Sequence, residues 1–160
     1  MKCLKREVKM SNFSKKSFAN LSTCHPDIQT VMEQVIEFFD FTVVYGHRSP
    51  EVQKLLFDQG RDKNGKIIDK KKVVTNCDGY KKPSKHNALP SEGIDIIKYP
   101  MDWEDVESAI YLAGFVIGIS ELLFAIGRIS HKLKWGGDWD SDRDMTDQNF
   151  MDYFHFEVIK

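Results

Sequence analysis

A single domain mixing helices and strands is what this sequence predicts, on three observations. Helix-period apolar segments occur before residue 40 and after residue 105, with a capped helix between them. Short β-branched or aromatic runs stand at 41–45, 93–97 and 154–159. At 160 residues and 41% hydrophobic, the chain is long enough to bury one core.

Charge excludes little by itself. With 23 basic and 24 acidic side chains the net charge is −1, which gives no general argument for nucleic acid or membrane surfaces. Its distribution is uneven: a basic start, six Lys or Arg in 61–72 and five Asp in 138–147. Cys3, Cys24 and Cys77 are odd in number and far apart, with no Cys-x-x-Cys pair. They read as reduced thiols of a protein made in the cytosol, neither a disulfide framework nor a thiolate zinc site. The basic N-terminus is followed by no apolar run of the signal-peptide type, and Met10 is an alternative start to Met1. Residues 1–12 are therefore expected to be a basic tail and 13–160 the folded domain.

From Cys24 onward Ile28, Val31, Met32, Val35, Ile36 and Phe39 follow the spacing of one helix face, with Pro26 in the first turn and Ser22 or Thr23 as cap. Asp40 closes this helix, and Phe41–Tyr45 reads as a strand. Ser49 as N-cap and Pro50 as the first helical residue open a second helix that stops at Gly60, leaving Arg48 at a strand-to-helix junction. Residues 61–83 are polar and read as a hairpin or long surface loop.

Gly93-Ile-Asp-Ile-Ile97 reads as a buried strand interrupted by Asp95, a carboxylate that needs a metal, an arginine or backbone N–H groups as partner. Asp102-Trp-Glu-Asp105 signals the start of a long helix reaching about Ile126. Its apolar core, Ala109–Ile119, is shorter than the ~20 residues a membrane span needs, so a buried core helix is expected, with Gly114, Gly118 and Ser120 admitting a close neighbour. Lys134–Trp139 reads as a turn. Asp140, Asp142 and Asp144 alternate as Ca²⁺ ligands can, but an EF-hand loop wants Gly and Glu where Met145 and Met151 stand, so a solvated acidic turn is expected, with Ca²⁺ as the alternative. The last strand, Phe154–Ile159, puts His155 and Glu157 on one face and Phe154, Phe156 and Val158 on the other.

His86, Asp95 and His155 have the composition of a catalytic zinc centre, two imidazoles and a carboxylate with a position left for water. Asp152 stands three residues before His155 as candidate general base, with Glu157 its rival. Five histidines leave other choices open on spacing alone.

The pattern Ser84-x-His86, Gly93-x-Asp95 and Asp152-x-x-His155 resembles the zinc peptidases that include D-alanyl-D-alanine carboxypeptidases and phage L-alanyl-D-glutamate endolysins. Further segments resemble the endolysin branch: Phe13-Ser-Lys-Lys-Ser17, Gly46-His-Arg48 with Gln53, Val74–Gly79 and Trp135-Gly-Gly-Asp-Trp-Asp140. The resemblance spans Phe13 to Lys160. It implies an α+β domain, a small antiparallel sheet packed against helices with a zinc site in a cleft on the sheet. It also implies His86, Asp95 and His155 as Zn²⁺ ligands, Asp152 as base, and Arg48 holding a substrate carboxylate or developing oxyanion. Gln53, Ser84 and Trp135 are then substrate-side candidates.

The activity implied is hydrolysis of peptidoglycan stem peptides at the L-Ala–D-Glu bond by a monomeric endolysin. Such an enzyme is made in the host cytoplasm and acts on the wall after release, with no nucleic-acid partner and no membrane insertion. A D-Ala-D-Ala carboxypeptidase or dipeptidase and a non-catalytic wall-binding module are the alternatives. Two departures bear on substrate detail: a longer His86–Asp95 spacer, and Gly93 where Ala is commoner.

Overall fold

The computed structural model describes residues 12–159, so the basic tail lies outside the described residues except for Asn12. Eight elements follow in order: α1 (Lys15–Leu21), α2 (Pro26–Ile36), β1 (Phe41–Tyr45), α3 (Pro50–Asp58), β2 (Gly93–Lys98), α4 (Val106–Ala125), β3 (Leu133–Trp135) and β4 (His155–Val158). The four strands form one antiparallel sheet in the order β1-β2-β4-β3, which makes the fold α+β. Helices packed on a small antiparallel sheet are what the resemblance implied.

Alternation along each strand separates two faces. Phe41 and Val43, Ile94 and Ile96, Phe156 and Val158, and Leu133 and Trp135 join Ile28, Met32, Val35, Leu112 and Val116 in one apolar core beneath α2 and α4. The opposite face carries Asp95, His155, Glu157 and Lys134. Asp95 pairs with His155 across β2 and β4, and Glu157 faces Gly93 on one side and Lys134 on the other. Directly opposed residues of an antiparallel pair bring their Cβ atoms to about 5 Å, so strand register alone makes Asp95 and His155 neighbours.

Local chemistry explains most boundaries. Ser49 caps α3 by accepting from the Val52 N–H, Pro50 fills its first position, and Asp105 accepts from Ser108 to start α4. Helix α2 departs from expectation: its cap is His25, whose Nδ1 accepts the Asp27 N–H at 3.2 Å, in place of Ser22 or Thr23. Residues 61–83 hold one isolated bridge, Arg61 to Ile67, and a 3₁₀ turn at Lys70–Lys72. Sequence pattern missed α1, a single seven-residue helix without a long period, and β3, three residues that run into an expected turn.

Helix α4 also differs from a fully buried core helix. Ala109, Leu112, Ala113, Val116, Ser120 and Leu123 are buried, whereas Tyr111, Leu122 and Phe124 are exposed. Gly114 and Gly118 have open space where a Cβ would stand, so they admit no close neighbour here. Its 20 residues are long and apolar enough to cross a membrane by length and composition; the apolar character runs round the helix, and one stripe of it packs on the fold. Ser120 does make a close contact, its buried Oγ accepting the Leu133 N–H at 2.8 Å and tying β3 to α4.

Candidate metal centre and active-site cleft

A cleft of about 1000 Å³ opens on the polar face of the sheet and is lined by His86, Asp95, Asp152, His155 and Glu157 together with Arg48, Ser84, Lys82, Tyr45, Trp103 and Trp139. His86 enters from a 3₁₀ turn, Lys85–Asn87, fixed by a capping box: the Ser84 hydroxyl accepts the His86 N–H and the Asn87 side chain accepts the Ser84 N–H. Asp95 comes from β2, and His155 opens β4 directly after the turn containing Asp152.

Three donor atoms converge on the cleft floor. Asp95 Oδ1 lies 3.1 Å from His86 Nε2 and 2.9 Å from His155 Nδ1, and those two nitrogens are 3.2 Å apart. Ligand atoms of a tetrahedral zinc at ordinary bond lengths stand roughly 3.3 Å apart, so the trio has the spacing of such a site. The outer partners orient both rings. His86 Nδ1 is 2.7 Å from the Gly46 carbonyl, which can only accept, so Nδ1 carries the proton and Nε2 presents a lone pair. His155 Nε2 lies 3.2 Å from Glu157 Oε2, which fixes the proton there and turns Nδ1 toward the convergence point.

Two glycines make this possible. A Cβ at Gly46 would lie 2.2 Å from the Asn20 carbonyl oxygen, so only glycine lets that backbone pass close enough to α1 to hold His86. A Cβ at Gly93 would lie 2.9 Å from His155 Cε1 and 3.3 Å from His86 Cδ2. The bare backbone at Gly93 is the space both imidazoles occupy.

The electrostatics favour a cation. Burial would raise the Asp95 carboxyl, but the polar contacts with His86 and His155 and the Arg48 charge hold it well below the usual carboxylate range. Burial opposes a charged His155, yet its bonds to Asp95 and Glu157 and the field of Asp95 and Asp152 lift it to about 9. Asp152 moves the other way: burial and the charge of Asp95 raise its carboxyl. The two carboxylates, one held ionised and one raised toward the proton, are pushed apart by their surroundings, as acid–base pairs in hydrolytic sites are.

The other expected residues divide. Arg48 is buried, with Nη2 against Asp95 Oδ2 and 3.2 Å from His86 Nε2, and Nη1 held by Gln53 Oε1 at 3.2 Å. Gln53 is itself fully buried and bonded to Thr75 and the Cys77 carbonyl, so it braces Arg48 from behind the cleft. Trp135 does not reach the cleft: it packs in the core with its indole N–H on the Tyr153 carbonyl. Strand alternation explains this, since Trp135 lies on the core face with Leu133. The aromatic ring at the cleft is Trp139, 5.8 Å from the His155 ring, which sequence reading passed over although it stands in the same Gly-Gly-Asp-Trp segment. In the acidic turn, Asp138, Asp140 and Asp142 bring carboxylate oxygens together, whereas the expected alternation ran through Asp144.

A cleft on a small antiparallel sheet, with two imidazoles and a carboxylate at its floor and a further half-buried carboxylate lining it, has the makings of a hydrolytic metal centre. The chain belongs to the phage L-alanyl-D-glutamate peptidase family, whose family model matches residues 10–159, and it is a peptidase acting on peptidoglycan. Its fold is similar to that of the Serratia marcescens L-Ala D-Glu endopeptidase ChiX, with a TM-score of 0.60 at 19% identity over 96% of this chain and 94% of that one.

Proposed function

We propose that this peptidase is a zinc-dependent endolysin that cuts the L-Ala–D-Glu bond with His86, Asp95 and His155 as metal ligands and Asp152 as general base. The observation that carries the reading is the convergence of Asp95 Oδ1, His86 Nε2 and His155 Nδ1 within 3.2 Å of one another in a cleft shared with Asp152, a half-buried carboxylate of raised pKa. Bound zinc would supply a Lewis acid for the scissile carbonyl and an acidified water near neutral pH.

The chain's own groups do the rest. Asp152, held by the Gly136 carbonyl on its N–H, takes a proton from the attacking water and returns it to the leaving amine. Arg48 places its charge beside Asp95 at the cleft wall, where negative charge develops on the peptide oxygen; such a donor is worth about 3 kcal/mol of barrier. Ser84 shapes the turn that presents His86, and Lys82 puts positive charge on the wall facing an acidic stem peptide. Trp139 covers His155 and limits water around it. Glu157 sits on the far nitrogen of His155 from the ligand side and is held by Lys134 at 3.2 Å, so it orients the ring and is not the base.

The test is digestion of purified peptidoglycan followed by mass spectrometry of the fragments, with and without chelation. New N-terminal glutamate that disappears on chelation and returns with Zn²⁺ is the expected result. Release of terminal alanine would move the bond to D-Ala-D-Ala, and chelator-resistant cleavage would remove the metal from the reading.

A further inference from the structure

We infer that the chain carries a second, non-catalytic site for a divalent transition ion, built from His25, Asp27 and His131. None of the three lines the cleft. Asp27 stands in the first turn of α2, His25 is the cap of that helix, and His131 arrives from the α4–β3 connection 104 residues away in sequence. One ligand atom from each lies within 4.8 Å of the other two, and the donor set, two imidazoles and a carboxylate, is that of the cleft trio.

The arrangement is organised around one carboxylate. Asp27 Oδ2 is 2.9 Å from His131 Nδ1, 2.9 Å from the His131 backbone N–H and 3.7 Å from His25 Nδ1. The His25 and His131 rings meet edge to face with centroids 5.4 Å apart, which packs them against each other on one side of the carboxylate. His25 Nδ1 accepts the Asp27 N–H, so that nitrogen is unprotonated with its lone pair engaged by the helix end, and the His25 backbone is anchored by donating to the Ser91 carbonyl at 2.8 Å. A His–Asp hydrogen bond accounts for His131 and the helix cap for His25; an ion held by all three would take over the His25 Nδ1 lone pair from the Asp27 N–H.

Access also suits an ion. The side chains of His25 and His131 are 24% and 38% exposed and Asp27 is 11% exposed, so the carboxylate is sheltered while the rim admits an ion that keeps water at its remaining positions. Imidazole and carboxylate select Zn²⁺, Co²⁺, Ni²⁺ or Cu²⁺ over Mg²⁺ and Ca²⁺, which take oxygen ligands. The spacings are looser than in the cleft trio, so this site binds more weakly. Its place gives it a role: an ion there joins the start of α2 to the residues just before β3, while His25 holds Ser91, two residues from the Gly93 backbone that both cleft imidazoles require. It is a clamp on the frame of the catalytic face.

Co²⁺ and Zn²⁺ titration of the full chain tests this, with stoichiometry read from equilibrium dialysis and Co²⁺ absorption, and folding checked by circular dichroism. The expected result is two ions per chain, falling to one in His25→Ala and in His131→Ala, and to one, the weaker, in His86→Ala. Zn²⁺ then raises the melting temperature of His86→Ala but not of His86→Ala/His25→Ala. A wild type that binds a single ion, lost in His25→Ala and kept in His86→Ala, supports this site while refuting the cleft trio. Folded His25→Ala and His131→Ala proteins that retain the full wild-type complement overturn the inference.

Discussion

Replacing Gly93 with alanine adds one methyl group at the place where β2 passes beneath both imidazoles. The added carbon would lie 2.9 Å from His155 Cε1, 3.1 Å from Lys85 Cβ and 3.3 Å from His86 Cδ2. Carbon atoms rest at about 3.5–4.0 Å, so the His155 ring must retreat by roughly 0.6 Å or more and the His86 ring by roughly 0.2 Å. Functional groups of this kind tolerate displacements of about 0.5 Å, so the ligand nitrogens leave their working positions. We expect Zn²⁺ affinity to fall about 10- to 100-fold, or about 1.4–2.8 kcal/mol. The fold itself should not suffer in proportion. Alanine narrows the unfolded ensemble relative to glycine, an opposing gain of about 0.4–1 kcal/mol. Competition against a chromophoric chelator gives the affinity, and thermal unfolding of the metal-free protein gives the stability. Gly93→Ala protein that holds Zn²⁺ as tightly as the wild type would show that the bare backbone is not what seats the rings.

Asp152→Asn should retain zinc and fold while losing about 10²- to 10⁴-fold in turnover; turnover within tenfold of wild type places the base elsewhere. Glu157→Gln keeps a polar group on His155 Nε2 but removes the charge that Lys134 pairs with, so Zn²⁺ affinity should drop about tenfold or more with turnover per bound zinc less affected. A kcat loss as deep as that of Asp152→Asn, with zinc fully bound, would make Glu157 the base. Burial lifts the Cys24 thiol to about 12 from an ordinary 9.0, outweighing a hydrogen bond with Thr23. Because the folded pKa is the higher one, folding disfavours the thiolate: Cys24 costs nothing below about pH 9.0 and destabilises the fold as pH rises from there toward about 12. Iodoacetamide at pH 8 followed by peptide mapping should leave Cys24 unmodified in the native protein and label it in urea; native labelling at the unfolded rate contradicts the burial argument.

The elements with strong local signals were legible in sequence, and those without were not. Ser49-Pro50 opened α3 and the β-branched run 41–45 gave β1, because cap chemistry and side-chain branching act on neighbouring residues. Helix α1 is seven residues, and β3 is three residues held by pairing to β4 and by Ser120, contacts that no window of sequence contains. The cap of α2 went to His25 because Ser91, distant in sequence, fixes the backbone of that residue and turns its ring onto the helix end. Trp135 was placed on the wrong side for the same reason: without β3 there was no face to assign it to. His86, Asp95, Asp152 and His155 were named from a pattern, and the structure brings all four to one cleft.

What sequence could not carry is the layer that makes those residues chemically different from other histidines and aspartates. Gly46 and Glu157 set which nitrogen of each imidazole faces the point where the ligand atoms converge, and neither effect is visible until backbone and sheet are folded. The Gly46 carbonyl reaches His86 because α1, an element absent from the sequence reading, lies close enough to forbid a side chain there. Glu157 reaches His155 Nε2 because the two share one face of β4. The ligands are therefore written in short motifs, while their tautomers and aim are written in packing. This predicts a separation between two kinds of damage: substitutions of the cleft ligands abolish metal binding in the cleft, whereas substitutions at Gly46, Gly93 or Glu157 weaken it by degrees.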